Sequence, residues 1–460
     1  MTALWTSKDA EAATLGTASA PFEVGGLSID TRTLKPGDLF IALKGDARDG
    51  HEFVGAAFAA KAGAALVQRQ VKGLPGGAPL LTVANTQRGL EDLARTARTR
   101  SRAQIVAVTG SAGKTTTKEM LRLALGALGR THASSASYNN HWGVPFSLAS
   151  MPQDCAYGVF EVGMNHFGEI RALVGLVRPH VALITTIAPA HLEFFETCDA
   201  IADAKAEIFE GIVAGGAALI PADSAYAERL ERRARQAGVT RLFGFGRNAS
   251  HARLAAIENV DDGVKVSANV LGRDVHFRMN ATGAHNAVNA VGALLAVAVL
   301  DGDVLNAAAA LSAFSALKGR GARVDIPVAG GKARLIDESY NANPSSMVAA
   351  LGNLGTATAK RRVAVLGDML ELGPESVALH ANLIEAIEAA RADLVFLCGP
   401  NMAAVWEKLP ASQRGAYGAK SSDIAGAVAA AAQDGDVVLV KGSLGSKMAV
   451  IVDALKARAA

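Results

Sequence analysis

Apolar residues in this chain gather into short unbroken runs, each followed by a polar, glycine- or asparagine-rich stretch and then a helix-like segment. Such runs are Ile105–Val108, Tyr157–Val162, Val181–Ile187, Arg334–Ile336, Arg362–Leu366, Leu394–Cys398 and Val437–Val440. Continuous apolar runs bounded by turn residues read as strands covered on both faces. The segments from Lys118 onward, from Ala200 to Phe209 and from Ala287 to Leu300 read as helices between them. The alternation predicts α/β architecture, with mainly parallel sheets carrying helices on both faces and ligands at the carboxyl ends of the strands. Ahead of it, Leu27–Ile29 and Leu39–Leu43 form two strand-like runs around a turn at Pro36-Gly37. An alanine-rich helix from Phe53 to Ala62 and strands at Ala64–Val67 and Leu80–Val83 follow.

These patterns divide the chain into three domains. Residues 1–103 make a small N-terminal α/β unit, 104–322 a central unit and 323–460 a C-terminal Rossmann-like unit. The basic, glycine-rich run Lys318-Gly319-Arg320-Gly321-Ala322-Arg323 reads as the hinge before the last of them.

The strongest chemical signal lies in the central unit. The strand Ile105–Val108 runs into Thr109-Gly110-Ser111-Ala112-Gly113-Lys114-Thr115-Thr116-Thr117, and a helix leaves that turn. Glycines let backbone N–H groups curl around phosphate oxygens, and the helix N-terminus adds partial positive charge. Lys114 is expected to reach the terminal phosphates of a nucleoside triphosphate, and the Thr115 hydroxyl to hold Mg²⁺. The longer P-loop pattern has a glycine where this chain has Val108, so the match is to the shorter G-x-x-G-K-T-T form.

Other polar clusters fall at strand ends. Glu161 closes one strand and is well placed to hold Mg²⁺ opposite the loop; alone it reads equally as a surface carboxylate. His191 alone reads as a hydrogen-bonded structural histidine, and Asp203, Lys205 and Glu207 as a charged helix face. Asn286 and Asn289 share one face of a helix, where two amides can read a purine edge or simply bond locally. Asp30-Thr31-Arg32 alone reads as a solvated turn. The loops Asp337–Ser346, Gly367–Gly373 and Lys441–Lys447 follow strands of the third unit.

Charge and composition add exclusions. Lysine plus arginine number 46 against 43 aspartate plus glutamate, a net charge of +3, so no general case exists for nucleic acid or an anionic membrane as partner. Cys155, Cys198 and Cys398 are far apart and odd in number, which suits a reducing compartment and forms no zinc pattern. The first residues carry charges where a signal peptide has its apolar core. The apolar helix near 287–300 is interrupted by Asn289 and Gly292 and is too short for a membrane span. A cytoplasmic protein, working as a monomer, is expected.

Taken together the motifs resemble the Mur ligases of peptidoglycan synthesis, and less fully the folylpolyglutamate synthetases. The resemblance runs in order over nearly the whole chain. It is carried by Asp30-Thr31-Arg32 with Phe40–Gly45, by the phosphate loop, by Glu161–Ile170, and by Ser339-Tyr340-Asn341-Ala342-Asn343-Pro344. It implies an ATP-dependent amide ligase with a UDP-sugar-binding first domain, an ATP-binding second and a dipeptide-binding third. The last motif points to the member that adds D-alanyl-D-alanine to UDP-N-acetylmuramoyl-tripeptide. The ligase adding the preceding amino acid and a non-catalytic P-loop module are the alternatives. No Asn-Lys-x-Asp guanine motif supports a GTPase.

By position, the resemblance assigns Gly110, Ser111, Ala112, Gly113, Lys114, Thr115 and Thr116 to the triphosphate. Thr115 and Glu161 would ligate Mg²⁺, with His191 and Lys205 at a second Mg²⁺; Lys205 matches a lysine that several members carbamylate. Lys114, His191 and Lys205 are the expected catalytic residues. Asn286 and Asn289 would meet the adenosine, while Arg323 and Asp337 would clamp the nucleotide. Asp30, Thr31, Arg32, Lys44, Asn139 and Asn140 are expected on the UDP-sugar substrate, and Tyr340, Asn341, Asn343 and Ser345 on the dipeptide. Two departures stand out: Thr186 replaces an asparagine usual in the family, and Gly321-Ala322-Arg323 replaces Pro-Gly-Arg, leaving Arg320 as a rival for the arginine role.

Overall fold

The computed structural model describes residues 3–45, 48–134, 137–189, 192–260 and 263–457. Three sheets of five, nine and six strands follow one another along the chain, joined by helices, with a small two-stranded ribbon at the start.

The strand Gln104–Thr109 lies inside the nine-stranded sheet, between Tyr157–Glu161 and Val181–Ile184, both parallel to it. The chain first visits one side of this strand and then crosses to the other. That reversal opens a crevice at the carboxyl ends, where ligands bind in such sheets. All these strands are buried, as their unbroken apolar runs require.

The helix after the loop, Lys114–Gly126, begins four residues before the expected start at Lys118. Gly113 caps it in the left-handed region at φ +79°, and Gly113 O accepts from Thr117 N at 2.9 Å. Packing of Met120, Leu121, Ala124 and Leu125 into the core overrides the weak helix preference of three consecutive threonines.

The central sheet is less uniformly parallel than expected. Its far edge is an antiparallel meander, Ala252–Val260, Gly263–Val270 and Arg273–Met279. A two-residue turn at Leu271-Gly272, both at positive φ, joins the last two strands, and the inward set Val264, Val266, Ala268 and Val270 alternates as a one-sided strand must. In the third sheet two further strands, Ala322–Val328 and Arg414–Gly418, flank the expected ones.

The helix Thr86–Arg100, unmarked in the apolar pattern, ties the first sheet to the central one. It packs on Gly143–Ala149, a helix with Pro145 in its first turn. Arg98 donates to the carbonyls of Val177 and Arg178 at 2.8 and 2.7 Å, closing the end of Glu169–Val177. Trp5 is sealed from solvent, its indole N–H donates to Ala149 O at 2.9 Å, and the Arg100 guanidinium lies 3.8 Å over its ring. Burial of an aromatic of this size is worth about 3 kcal/mol.

Cys155 and Cys398 are buried and Cys198 half-buried, all as free thiols. Among the described residues no helix is long and apolar enough to cross a membrane.

Candidate active site

The phosphate loop is held open by its neighbours rather than by its own bonds. Gly110 sits at φ +148°, and a Cβ there would collide with Thr185 Oγ1. Thr185 Oγ1 instead donates to Ala112 O at 2.5 Å. Ser111 N donates to Thr186 O at 2.8 Å, and Ser111 Oγ donates to Ala188 O and accepts from Ala188 N at 2.9 and 3.0 Å. The loop is thus stitched to the residues that follow the neighbouring strand. Lys114 Nζ turns back to Gly110 O at 2.7 Å. Surrounding protein desolvates this half-buried ammonium and pushes it below the ordinary lysine range; Glu161 opposes that shift and Arg320 adds to it.

Glu161 is 1% exposed and its residue pairs in register with Val108, just before the loop. One carboxylate oxygen, Oε1, accepts from Asn139 Nδ2 at 2.7 Å; the other, Oε2, is buried without a hydrogen-bond partner. A buried carboxylate oxygen left bare beside a phosphate loop is costly unless something positive completes it. Thr115 Oγ1, also buried, lies 3.5 Å from Ser137 Oγ. Hydroxyl and carboxylate are hard oxygen donors, and P-loop magnesium draws its remaining ligands from phosphate and water. The residues present therefore fit a Mg²⁺. Among the described residues no group of three or more His, Cys, Asp or Glu side chains could hold a metal unaided.

Lys205 and Glu207 are not a solvent face. Lys205 is 1% exposed, and burial, with Lys114 as a second influence, lowers its ammonium pKa strongly. Among the described residues no carboxylate pairs with it. Glu207 accepts from the backbone N–H of Gly168 and Arg171, capping the helix Glu169–Val177. Only Asp203 behaves as expected, pairing with Arg229 at 2.8 Å. His191 lies outside the described residues.

One cavity of about 550 Å³ joins the central and third domains. Ala112, Gly113 and Thr116 meet it from the phosphate loop, and Asn286 and Asn289 from the helix Ala284–Val299. Asn341, Asn343, Ser345 and Lys441 meet it from the third domain. Asn289 is buried against Gly113, and Asn286 donates to Thr282 O at 2.7 Å. Tyr226 and Phe245 add apolar wall near the two asparagines, the surface a purine needs.

Of the hinge arginines, Arg320 reaches the loop. It donates to Ser137 Oγ at 3.0 Å, lies 4.2 Å over the Tyr340 ring and lines the shared cavity. Arg323 faces elsewhere: it donates to Thr282 Oγ1 at 2.7 Å and lines a separate cleft with Arg247 and Asn353. The cause is strand geometry, because Arg323 is held in the antiparallel pair Ala322–Val328 with Gly331–Glu338, whereas Arg320 sits in the turn before it. Asp337 is spent on that turn. Its carboxylate accepts from Gly319 N at 3.1 Å and from Ser339 Oγ at 2.5 Å, so in this structure it shapes the hinge and is buried.

Several expected substrate contacts are likewise taken up locally. Asn139 orients Glu161, and Asn140 Oδ1 accepts from Gly143 N at 2.9 Å. Asn343 forms a capping box with Ser346 at the start of Pro344–Gly355. Asp30 and Arg32 pair with each other at 2.6 Å, and the guanidinium holds the Asp30 carboxyl below its usual range. They and Thr31 flank, without lining, a cleft of about 410 Å³ between the first and central domains, bordered by Ser28, Lys35, His132 and Ser147. Lys44 is exposed away from it.

Lys441 was not singled out from the sequence. It is 2% exposed and donates to Glu338 Oε2 at 3.2 Å and Asn341 O at 2.9 Å. Its signal was available: it is the first polar residue after the apolar run Val437–Val440, at the carboxyl end of a strand.

Comparison with known proteins agrees with this arrangement. Three family models match: the Mur ligase catalytic domain over residues 23–114, the Mur ligase middle domain over 108–297, and the Mur ligase glutamate ligase domain over 319–444. The chain is 36% identical to the UDP-N-acetylmuramoyl-tripeptide–D-alanyl-D-alanine ligase of Escherichia coli, over 95% of each chain. It is 32% identical to the ligase of the same name from Rickettsia prowazekii, over 98% of this chain and 99% of that one. It superposes on the crystal structure of MurF from Acinetobacter baumannii with a TM-score of 0.85 and 29% identity, covering 98% and 99% of the two chains.

Proposed function

This chain belongs to the Mur ligase family, and from that premise we propose that it joins D-alanyl-D-alanine to UDP-N-acetylmuramoyl-tripeptide, using ATP, to form the UDP-linked pentapeptide precursor of peptidoglycan. The observation that carries the reading is the single cavity in which the phosphate loop faces Asn341, Ser345 and Lys441 of the third domain. A nucleotide γ-phosphate and a peptide carboxylate can meet only where both halves contribute. We place the domain divisions at 103/104 and 322/323, and the working form in the cytoplasm as a monomer.

Amide formation from a carboxylate in water is slow because carboxylate is a poor electrophile. In the first step a carboxylate oxygen bonds to the γ-phosphorus of ATP, the bond to the β-γ bridging oxygen breaks, and ADP leaves. In the second, the amine of D-alanyl-D-alanine attacks the acyl carbon, phosphate departs with the bonding pair, and the amine loses a proton. Bringing two anions together costs about 4 kcal/mol per charge pair at ~4 Å and an effective dielectric of ~20. Lys114, the loop N–H groups and Arg320 are the fixed positive groups placed to offset this and to stabilise the spread charge of phosphoryl transfer. Thr115 and Glu161 would hold Mg²⁺, and His191 and, as a carbamate, Lys205 would serve a second ion. Bound there, Mg²⁺ supplies further neutralisation of the triphosphate oxygens. Gly319 and Gly321, at φ +74° and +97°, give the hinge the freedom to close the third domain and exclude water.

The test of this reading is phosphate release. Release from ATP is expected to require UDP-tripeptide and D-alanyl-D-alanine together. Release that ignores both would leave a generic ATPase, and release with a single amino acid in place of the dipeptide would favour the preceding ligase of the pathway.

Lys205 carries a second prediction. Its depressed pKa leaves more free amine at neutral pH, and a free amine adds to CO₂: the N–C bond forms, a proton leaves to solvent, and a carbamate anion remains. With ¹³C-bicarbonate, a carbamate carbon resonance is expected that is missing in Lys205→Arg. An identical spectrum for both proteins would remove the carbamate from the scheme.

A further inference from the structure

Lys118 lies one helical turn beyond Lys114 on the same face and is fully buried. Its ammonium donates to Ser134 O at 2.7 Å and pairs with Glu119 at 2.8 Å, and Glu119 is shared with Arg122 at 2.6 Å. An apolar side chain would fill this space without the desolvation cost of a charge. What lysine adds is a charged grip on the backbone carbonyl of Ser134.

That carbonyl sits at a sensitive place. Ser134 follows the edge strand Thr131–Ala133 and opens the segment leading to the helix Gly143–Ala149. The segment's described residues Ser137 and Asn139 send four contacts toward the site. Ser137 Oγ stands between Thr115 Oγ1 and Arg320, Asn139 Nδ2 donates to Glu161, and Asn139 O accepts from Gly163 N at 2.8 Å. The side that leads into Gly143–Ala149 is fixed by the Asn140 cap. The side that leaves the edge strand is held at Ser134, whose N–H donates to Val159 O at 3.2 Å and whose carbonyl accepts from Lys118.

We propose that Lys118 is a positioning residue of the metal and phosphate site: its hold on Ser134 sets where Asn139 places the Glu161 carboxylate and where Ser137 meets Thr115 and Arg320. The identity of the cation rests on the ligase reading above; the mechanical role of Lys118 does not. Groups that orient a metal ligand typically change metal affinity by about 10- to 100-fold when removed.

The experiment measures Mn²⁺ binding by electron paramagnetic resonance in the presence of a non-hydrolysable ATP analogue. The wild-type protein must hold Mn²⁺ in that complex; failure there would overturn the metal reading itself. Against that baseline, Lys118→Met is expected to weaken Mn²⁺ about 10-fold or more while analogue affinity measured without metal changes less than about threefold. Asn139→Ala is expected to weaken Mn²⁺ similarly, and the double variant to be no weaker than the worse single one, because both act through one segment. Unchanged Mn²⁺ affinity in a folded Lys118→Met protein, or effects that multiply in the double variant, would overturn the proposal. Should Lys118→Met not fold, Lys118→Arg keeps the charge but displaces Ser134, and the same weakening, or its absence, decides the matter.

Discussion

Replacing Lys114 by methionine is expected to slow ATP-dependent ligation by about a thousandfold or more while the protein melts at nearly the wild-type temperature. The rate loss follows from the position of the ammonium at the head of the loop, where it meets the charge that spreads over the transferring phosphoryl group. Removing one preorganised charge partner of this kind typically costs about 10²–10³ in rate, and Lys114 also offsets the approach of the second anion. Stability should hardly fall, because the ammonium is desolvated in the folded protein and, among the described residues, its hydrogen bond is to Gly110 O in its own loop. A methionine of similar length fills the space and removes that desolvation penalty. Single-turnover phosphate release, read beside a thermal melt, checks both halves. A loss under tenfold with intact folding would show that Lys114 is not the phosphate lysine.

The second large effect belongs to Glu161. Glu161→Gln is expected to lower ligation about 100-fold at millimolar Mg²⁺, with part of the loss recovered at higher metal concentration. The amide can still accept from Asn139 Nδ2 through its oxygen, so the local fold is kept. Its nitrogen then occupies the position of the bare oxygen Oε2 and offers no lone pair to a cation. In the metal-free protein the same substitution exchanges a buried carboxylate oxygen without a hydrogen-bond partner for an uncharged amide nitrogen, so the melting temperature is expected to change little. A rate loss unmoved by metal, together with a lower melting temperature, would mean that Glu161 serves the fold and not the cation.

Much of this site was legible in the residues. The strand, glycine turn and helix around Lys114 are decided over a dozen neighbouring positions by apolar continuity and by the conformations open to Gly110 and Gly113. Glu161 was legible in its place at a strand end, where position alone left it equally a surface carboxylate; the family resemblance, not the spacing, pointed it at the metal. Asn286 and Asn289 share a face because helical spacing forces them to. The antiparallel edge of the central sheet was missed because its alternating pattern is weaker than the apolar runs beside it. The helix Thr86–Arg100 was missed because its buried stripe, Leu90, Leu93, Ala94 and Ala97, is interleaved with charges.

What the chain determined by itself is local: the strand, glycine turn and helix order around Lys114, the alternation that yields three α/β domains, and the residue types at the strand ends. What only the tertiary structure decided is allocation. Asn139, Asn343 and Asp337 each carry a side chain able to meet a ligand, yet one orients Glu161, one caps a helix and one shapes the hinge. Arg320 and Arg323 are three residues apart in the same basic run, and only the first reaches the loop, through Ser137, 183 positions away. Backbone shape is governed by steric contacts within a few residues. A polar side chain's partner is whichever donor or acceptor the packed sheets leave within about 3 Å, and that distance exists only after folding.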